Sequence, residues 1–411
     1  MLSRRLHAAL RGRGGEVMAG GEALRKFVAP EIVFGEGALE LSGRFSRNLG
    51  GRRILVVSDP GVIAAGWTEK ARKSLEEANL SVVVYENVRS NPSTASVMEG
   101  ASVFVREQCD MILAVGGGSP MDCAKAIGAV VSNEQHVLEF EGVDNVSLPP
   151  PPLVCVPTTA GSAADVSQFA IITDEVRKVK FAIISKTMVP DVALIDPRTT
   201  LTMEKSLTVA TGMDALTHAV EAYVSDASSP LTDLHALETV RLVARHLPGA
   251  AAELDNLEHR RGMMLASLYA GLAFSNAGLG MVHALAHSLG GALDLPHGEC
   301  NALLLRHGCA ANYSAVPERF ARILQAFKEG ESMASMSPVA PTPPEKVLEE
   351  LVARVGVLGD ISGIAVRLRD FGLRREDIPR IARFAYQDPC LLTNPRHMDA
   401  AELEEVLHGA W

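Results

Sequence analysis

The sequence lacks several features that would place it in a specialised class of protein. No apolar run approaches the roughly 18 residues needed to cross a bilayer, which argues against a membrane protein. Its six cysteines include no CxxC pair, so neither a disulfide framework nor a thiolate zinc site is expected, and a cytoplasmic location is favoured. Lysine and arginine (39) are fewer than aspartate and glutamate (49), and no basic cluster follows the first residues, which argues against nucleic-acid binding.

The rest of the composition is that of a globular protein. Hydrophobic residues make up 47% and charged residues 21% of the 411 residues, enough for a large core in two or three domains. Residues 1–25 are interpreted as a disordered leader, because residues 1–15 hold four arginines, no acid and a glycine-rich end. An Arg-rich transit peptide and an upstream start before Met18 remain alternatives.

Short apolar runs alternate with helical patterns between about residues 30 and 195. The runs Arg53–Val57, Ser81–Tyr85, Met111–Val115, Leu153–Val156 and Val192–Ile195 predict strands, and the segments 67–79, 94–107 and 121–131 predict helices. Nearly all-apolar runs are typical of strands buried on both faces of a parallel sheet. Gln168–Thr173 and Val179–Ser185 predict an inserted hairpin. The pattern predicts an α/β domain over 26–197 with a doubly wound, mostly parallel, Rossmann-like sheet.

The second half of the chain has a different pattern of apolar residues. It contains no further β-branched runs, and its apolar residues, mostly Ala and Leu, have helical spacing. An all-α domain is therefore predicted over 198–411. Glycine or proline at 229–230, 248–249 and 295–298 predicts helix ends, and the Ser-, Met- and Pro-rich segment 330–344 predicts a surface loop.

A strand followed by three glycines and a helix predicts a phosphate-binding turn. Gly116–Gly118 let the backbone approach a ligand closely, and Pro120 suits the first helical position. The free N–H groups and the dipole of a helix start attract a pyrophosphate. The segment matches neither the GxGxxG fingerprint nor a P-loop, so an ordinary tight turn is the alternative.

Asp59 stands at the end of the first strong strand. A carboxylate there can accept a hydrogen bond from the adenosine ribose 2′-OH and repel a 2′-phosphate. The position therefore favours NAD over NADP, although an aspartate at a strand end is also a common turn residue.

Five residues with metal-ligand chemistry fall on short apolar helical segments. Asp214 and His218 are four residues apart and so share a helical face. His283 and His287 have the same spacing, and His297 follows them. One aspartate and three or four histidines suit a borderline divalent cation such as Fe(II) or Zn(II). The glutamate of an HExxH zinc peptidase is missing, and for any one histidine a buried structural role is the alternative.

These motifs together resemble those of the iron-containing (group III) alcohol dehydrogenases, over nearly the whole chain after residue 25. The matching stretches are Gly116–Asp122, Pro157–Gly161, Gly212–His218, His283–Gly290 and Pro296–Gly298. The resemblance implies a dehydroquinate synthase-like architecture, an α/β domain and an all-α domain with a cleft between them.

The resemblance also implies roles for individual residues. The implied metal ligands are Asp214, His218, His283 and His297, holding Fe(2+) or, alternatively, Zn(2+). His287 is then a catalytic histidine that relays a proton, or else a partner that orients a ligand. The implied NAD-binding residues are Asp59, Asn91, Gly117, Gly118, Ser119, Asp122, Thr158, Thr159, Ser162 and Lys180.

One stretch departs from the family pattern. After Gly161 the family usually continues Thr-Gly-Ser-Glu, whereas this chain has Ser-Ala-Ala-Asp over Ser162–Asp165. This variant and the ending Pro389–Pro395 are similar to a subgroup of alcohol dehydrogenase-like regulatory proteins, which are associated with regulating ethanol oxidation in bacteria. A regulatory or sensor protein with weak turnover is therefore the alternative function.

The expected function is that of a metal-dependent NAD(H) alcohol dehydrogenase. It would oxidise a primary alcohol to an aldehyde, or the reverse, by hydride transfer in the interdomain cleft. The expected partners are a small alcohol or aldehyde and a second copy of the chain in a homodimer, with no nucleic acid and no membrane. A related polyol-phosphate dehydrogenase or cyclase is disfavoured, because the 283–298 motif lacks Lys or Arg to hold a phosphate.

Overall fold

The computed structural model describes residues 25–335, 339–361 and 367–411. The strands are β1 (Glu31–Phe34), β2 (Arg53–Val57), β3 (Ser81–Tyr85), β4 (Met111–Gly116), β5 (Gly142–Val143), β6 (Leu153–Pro157), β7 (Phe169–Asp174), β8 (Val179–Ile184) and β9 (Val192–Ile195). The helices are α1 (Ser42–Asn48), α2 (Pro60–Ala64), α3 (Trp67–Glu77), α4 (Thr94–Arg106), α5 (Gly118–Asn133), α6 (Lys205–Val224), α7 (Pro230–Ala252), α8 (Leu257–Ala277), α9 (Met281–Leu293), α10 (His297–Asn312), α11 (Pro317–Ser335), α12 (Val347–Asp360), α13 (Ile378–Ala385) and α14 (Ala400–Ala410). The leader predicted for residues 1–25 lies, up to residue 24, outside the described residues.

Six parallel strands form the main sheet, in the order β1-β9-β6-β4-β2-β3. All five apolar runs predicted as strands lie in it. Ile54 and Val56 of β2 pack in the core that includes α3, whereas Leu55 and Val57 pack in the core that includes α4 and α5. Because helices cover both faces, nearly all side chains of β2, β4, β6 and β9 are buried, and the predicted doubly wound α/β fold is confirmed.

Two further features complete this half of the chain. The predicted hairpin is present as β7 and β8, which pair antiparallel and join β5 in a separate three-stranded sheet. The edge strand β1 was not predicted, because its apolar run, Ile32–Phe34, is only three residues long and its side chains are half-buried or exposed. It pairs parallel with β9, with Glu31 opposite Val192.

From residue 198 onward the described residues contain helices and no strands, so the predicted all-α character of this half is confirmed. Helices α6 to α14 enclose one apolar core. No single helix among the described residues is long and apolar enough to cross a membrane. In this described part of the chain, α8 and α9 taken together, which are bent by 101° relative to each other, do reach that length and apolarity. The boundary predicted between 197 and 198 remains a prediction.

Three local predictions were wrong. Pro120 is the third residue of α5 and not the first, a position still tolerated because first-turn N–H groups have no intrahelical partner. Helix α7 continues through Pro248, since Gly249 has no Cβ and lets His259 of α8 pack closely against it. The first part of the predicted loop 330–344 is helical, because α11 extends to Ser335.

Candidate active site

A cleft of about 880 Å³ lies between the carboxyl edge of the main sheet and the helical half of the chain. Asp59, Gly117 and Thr158, which follow β2, β4 and β6, line one wall, and residues of α6, α9 and α10 line the other. Parallel strands all end at the same edge, and ligands of α/β proteins bind there.

Every residue singled out from the sequence as a site residue lines this one cleft. They are Asp59, Asn91, Gly117, Gly118, Ser119, Asp122, Thr158, Thr159, Ser162, Lys180, Asp214, His218, His283, His287 and His297. The fold therefore brings together residues that are up to 238 positions apart in the chain (297 − 59).

The glycine turn forms the start of α5 at the floor of the cleft. Gly117 is the N-cap, and no side chain caps the first N–H groups of the helix. A Cβ on Gly117 would lie 3.1 Å from the Thr159 side chain, and one on Gly118 would lie 3.0 Å from Ser162. The turn is therefore packed against the loop after β6, with uncapped N–H groups that suit a pyrophosphate.

Asp59 performs a structural task at the rim of the cleft. Its Oδ1 accepts the N–H of Val62 at 3.0 Å and so caps α2. The side chain is half-buried and lines the cleft, so the predicted turn role and a contact with the ribose are compatible.

Polar contacts link the two walls at the end of the cleft nearer the glycine turn. Lys180 Nζ donates to Asn91 Oδ1 at 2.7 Å, and Asn91 Nδ2 donates to Asp294 Oδ1 at 2.6 Å. Burial lowers the pKa of Lys180 from its ordinary value. Ser119 Oγ donates to the carbonyl oxygen of Ser90. These contacts hold the loop after β3 against α5 and the end of α9.

Asp122 lies deeper in the same wall. Its Oδ2 accepts the N–H of Ile171 at 3.1 Å, which ties α5 to the hairpin strand β7. Burial raises the pKa of Asp122 to about 6, an effect that the nearby cation of Lys125 opposes.

The four predicted metal ligands converge at the other end of the cleft. Asp214 Oδ1 lies 3.9 Å from His218 Nε2, 3.7 Å from His283 Nε2 and 3.6 Å from His297 Nε2. The four donor atoms all lie within 4.8 Å of one another. Donors bound at about 2.0–2.2 Å to one ion lie roughly 3–3.5 Å apart, so the spacing and the nitrogen and oxygen chemistry fit a single divalent cation.

Two further side chains orient these donors. Glu221 Oε2 lies 2.6 Å from His283 Nδ1, so Nδ1 carries a proton and Nε2 is left as the donor atom toward the other three residues. Asn301 Nδ2 donates to Asp214 Oδ1 at 2.7 Å and lies 3.1 Å from Nε2 of His283 and of His297. Both side chains are buried.

The electrostatics of the cluster favour an ionised Asp214 beside neutral His218 and His297. Burial raises the pKa of Asp214, but the surrounding histidines outweigh it and hold that pKa below its ordinary value. Burial lowers the pKa of His218 to about 3 and lowers that of His297 well below its usual range. Burial also disfavours charged His283, yet the hydrogen bonds that its ring donates to the Asp214 and Glu221 carboxylates raise its pKa to about 9. The negative charge of Asp214 and the lone pairs of the neutral rings would favour a bound cation here.

His287 stands beside the cluster with a partner of its own. Its ring stacks against His297, with centroids 5.3 Å apart and planes at 16°. Its Nδ1 lies 2.8 Å from Asp388 Oδ2, a contact close to the C-terminal end of the chain.

The wall next to the cluster is apolar. Phe274 stacks on His218 with ring centroids 4.2 Å apart, and Phe169 lies 5.6 Å from Phe274. Leu279 also lines this part of the cleft. This end therefore has room for a small apolar group beside the four donors.

Sequence reasoning missed three functional candidates: Glu221, Asn301 and Asp388. Glu221 follows Asp214 by seven residues, so helical periodicity alone puts it on the ligand face. Asn301 follows His297 by four residues, and the same signal was available there. Asp388 is close to its histidine only in the folded chain, and no sequence spacing reveals that contact.

Comparisons with known proteins agree with this geometry. The family model described as "Iron-containing alcohol dehydrogenase" matches residues 29–197. The model described as "Fe-containing alcohol dehydrogenase family, C-terminal" matches residues 208–411. The chain belongs to the iron-containing alcohol dehydrogenase family. It is 40% identical to the 1,3-propanediol dehydrogenase of Klebsiella pneumoniae over 94% of this chain and 98% of that one. It is 37% identical to the NAD-dependent methanol dehydrogenase of Bacillus methanolicus, over 93% and 99%.

Solved structures of the iron-containing alcohol dehydrogenase family also match. The crystal structure of 1,3-propanediol oxidoreductase superimposes with a TM-score of 0.89 at 39% identity, covering 94% of this chain and all of that one. The predicted family is therefore confirmed by sequence and by fold.

The stretch that departs from the family pattern borders the glycine turn. Ala163 has φ +48°, a left-handed conformation in which the family's usual glycine would be unstrained. The Cβ of Ala163 fits because the facing residue, Gly271 of α8, has no side chain. A Cβ on Gly271 would lie 2.5 Å from Ala163 Cβ and 2.4 Å from Val166 Cγ2. Burial raises the pKa of Asp165 to about 6. The alanine that replaces the family's usual glycine at position 163 is thus accommodated by Gly271 on the facing helix.

Proposed function

We propose that this chain is a metal-dependent NAD(H) alcohol dehydrogenase that oxidises a small primary alcohol to an aldehyde, or catalyses the reverse reaction. The observation that carries the proposal is the convergence, in one cleft, of a four-donor Asp/His cluster and an uncapped glycine turn at a helix start. Separately, each feature has structural explanations, but together they match the needs of a metal site and a dinucleotide site.

The proposed cofactor contacts follow from the chemistry of each wall. The N–H groups of Gly118 and Ser119 would bind the pyrophosphate of NAD, and Asp59 would accept a hydrogen bond from the adenosine ribose. The remaining proposed NAD contacts are Asn91, Gly117, Asp122, Thr158, Thr159, Ser162 and Lys180. Asp214, His218, His283 and His297 would hold the ion, which in this family is iron; zinc has the same donor preference.

The chemistry divides between bound groups and the chain's own residues. A divalent ion held there supplies a Lewis acid for the substrate oxygen, and NAD supplies the hydride acceptor. Oxidation removes a hydride from the alcohol carbon and a proton from its hydroxyl. His287 lines the cleft beside the four donors and takes that proton, and it returns the proton when an aldehyde is reduced.

The apolar end of the cleft supports a small primary alcohol as the substrate. Phe169, Phe274 and Leu279 give this end an apolar lining that suits the short alkyl chain of such an alcohol. The relatives named above act on methanol and 1,3-propanediol by their names, and both of these are primary alcohols.

The experiment is a turnover panel on iron-loaded protein prepared without oxygen. NADH formation is measured with primary alcohols of increasing chain length, 1,3-propanediol and a secondary alcohol, and NADH consumption is measured with the matching aldehydes. Asp214→Asn, which keeps the side-chain shape and removes the ligand charge, is the control without a competent metal site. Primary substrates should turn over best. Binding of NAD without turnover of any alcohol or aldehyde would instead favour the regulatory alternative.

We also propose a homodimer and a cytoplasmic location. Among the described strands β1 pairs with β9 alone, so its other edge offers backbone groups to a second copy, and all six cysteines are free and buried, as in a reducing compartment. Light scattering tests the dimer, and fractionation of cells that produce the protein tests the location.

A further inference from the structure

We propose that Asp388 is a positioning residue for His287, one that holds the imidazole with Nδ1–H toward the helical core and Nε2 toward the cleft. The inference rests on the proposed function, in which His287 takes the substrate proton. It also assigns a role to the adjoining segment Pro389–Pro395, which the sequence pattern singled out and the metal and NAD sites do not use.

The contact itself fixes the histidine tautomer. Asp388 Oδ2 lies 2.8 Å from His287 Nδ1, and both side chains are almost fully buried. An ionised carboxylate can only accept hydrogen bonds, so Nδ1 must carry the proton. Nε2 is then the nitrogen with the free lone pair that a proton acceptor needs.

The second carboxylate oxygen prevents the group from turning. Asp388 Oδ1 accepts the N–H of Cys390 at 2.8 Å, and Asp388 is the N-cap of the short 3₁₀ turn Pro389–Thr393. Each carboxylate oxygen thus has at least one donor fixed in place.

The segment that follows is fastened to the start of α9, the helix that carries His287. Asn394 Oδ1 accepts the N–H of Met281 at 3.1 Å, and two hydrogen bonds of 2.9 Å join Asn394 to Asn312. Thr393 Oγ1 donates to the carbonyl oxygen of Leu279 at 2.6 Å. These bonds hold the Asp388 carboxylate at a fixed position beside the His287 ring.

Two glycines before α9 make this close approach sterically feasible. A Cβ on Gly278 would lie 2.4 Å from Thr393 Oγ1, and one on Gly280 would lie 2.7 Å from Asn394 Oδ1. Gly278 also has φ +76°, a conformation that glycine adopts without strain. The sequence before α9 therefore accommodates the C-terminal segment.

A competing interpretation of the same side chains is that they form a second metal site. Donor atoms of His287, Asp388 and Cys390 lie within 4.8 Å of one another. In that case Nδ1 would be a ligand without a proton. The experiment is designed to separate this outcome from positioning.

The test compares Asp388→Asn with a matched control. Asparagine keeps the shape and can still cap through Oδ1 onto the Cys390 N–H, but it presents an NH₂ group to His287 Nδ1 and so favours the other tautomer. We expect kcat to fall on the order of 10²–10⁴-fold, the worth of a general base, with metal content and NAD affinity unchanged. Asp399→Asn is the control, because Asp399 caps α14 through the same kind of contact, to Glu402 N at 2.9 Å. It should leave kcat unchanged.

A readout independent of activity is the imidazole tautomer, measured by ¹⁵N NMR on histidine-labelled, zinc-loaded protein, with His287→Gln identifying the signal. Nδ1 should be protonated in the wild type, and Nε2 in Asp388→Asn. If the wild type turns over alcohol but its Nδ1 is unprotonated, or if Asp388→Asn keeps both kcat and tautomer, the positioning role is overturned while the proposed function stands. Two ions per wild-type chain, with one lost in Asp388→Asn, would also overturn it. The expected tautomers in a protein without turnover would support positioning and reject the proposed function.

Discussion

Some residues in or beside the cleft make two kinds of contact at once. Asp59 caps α2 through Oδ1 and also lines the cleft. Glu221 accepts the N–H of Val282 at 2.6 Å at the start of α9 and also fixes the tautomer of His283. A substitution at such a residue tests function cleanly only when the replacement preserves the structural task.

Asp59→Asn separates the charge of Asp59 from its cap. Asparagine caps helices as well as aspartate does, so stability should not change. Like charges placed together cost on the order of several kcal/mol, so removing the carboxylate should reduce the preference for NAD over NADP by about tenfold or more. The measurement is kcat/KM with each cofactor. Equal use of both cofactors by the wild type would contradict the assignment of Asp59.

The ligand histidines and His287 should respond differently to truncation. His218→Ala or His283→Ala removes a donor outright, so metal content and turnover should both be lost. His287→Ala should retain the metal and lower kcat on the order of 10²–10⁴-fold, since only a proton acceptor is removed. Metal analysis beside steady-state kinetics makes the comparison. Loss of metal from His287→Ala as complete as from the other two would show that this division is wrong.

At the scale of elements, the sequence predicts what depends on local pattern. The buried strands of the main sheet and the hairpin are all-apolar or nearly so, and they were predicted close to their observed bounds. Pro248 was misread as a helix end, because close packing of α7 on α8 outweighs the local cost of a proline. The partly exposed edge strand β1 carries no pattern strong enough to find it.

The contact between Ala163 and Gly271 gives a prediction at this scale. In Gly271→Ala the new Cβ would meet Ala163 and Val166 at under 3 Å, so α8 and the loop after β6 must separate. Overpacking of this kind costs about 1–3 kcal/mol, and the displaced Ser162 should also lower kcat. Gly356→Ala on α12 is the matched control, since no atom lies within 4 Å of its Cβ and alanine favours a helix by up to about 1 kcal/mol. The melting temperature should therefore fall in Gly271→Ala and not in Gly356→Ala. Equal melting temperatures would argue against tight packing at Ala163.

At the scale of the whole molecule, the site is assembled from chain positions that only the fold brings together. The residue types and their i, i+4 spacing predicted the Asp/His set and the glycine turn. Spacing puts Asn301 near His297, but it could not predict that Asn301 Nδ2 would also contact Asp214 and His283, or that Asp388 would reach His287 across 101 positions. Those contacts depend on how α9, α10 and the C-terminal segment pack, which no local pattern records.

The central claim is that one divalent ion, held by Asp214, His218, His283 and His297, makes this cleft an NAD-dependent alcohol dehydrogenase. The most direct measurement is a titration of metal-depleted protein with Fe²⁺ in the absence of oxygen, following the rate of NADH formation from a primary alcohol. The account predicts no turnover without metal, a rate that rises in proportion to added iron, and a sharp break at one ion per chain. Turnover that does not depend on metal, or a break at two ions per chain, would contradict it.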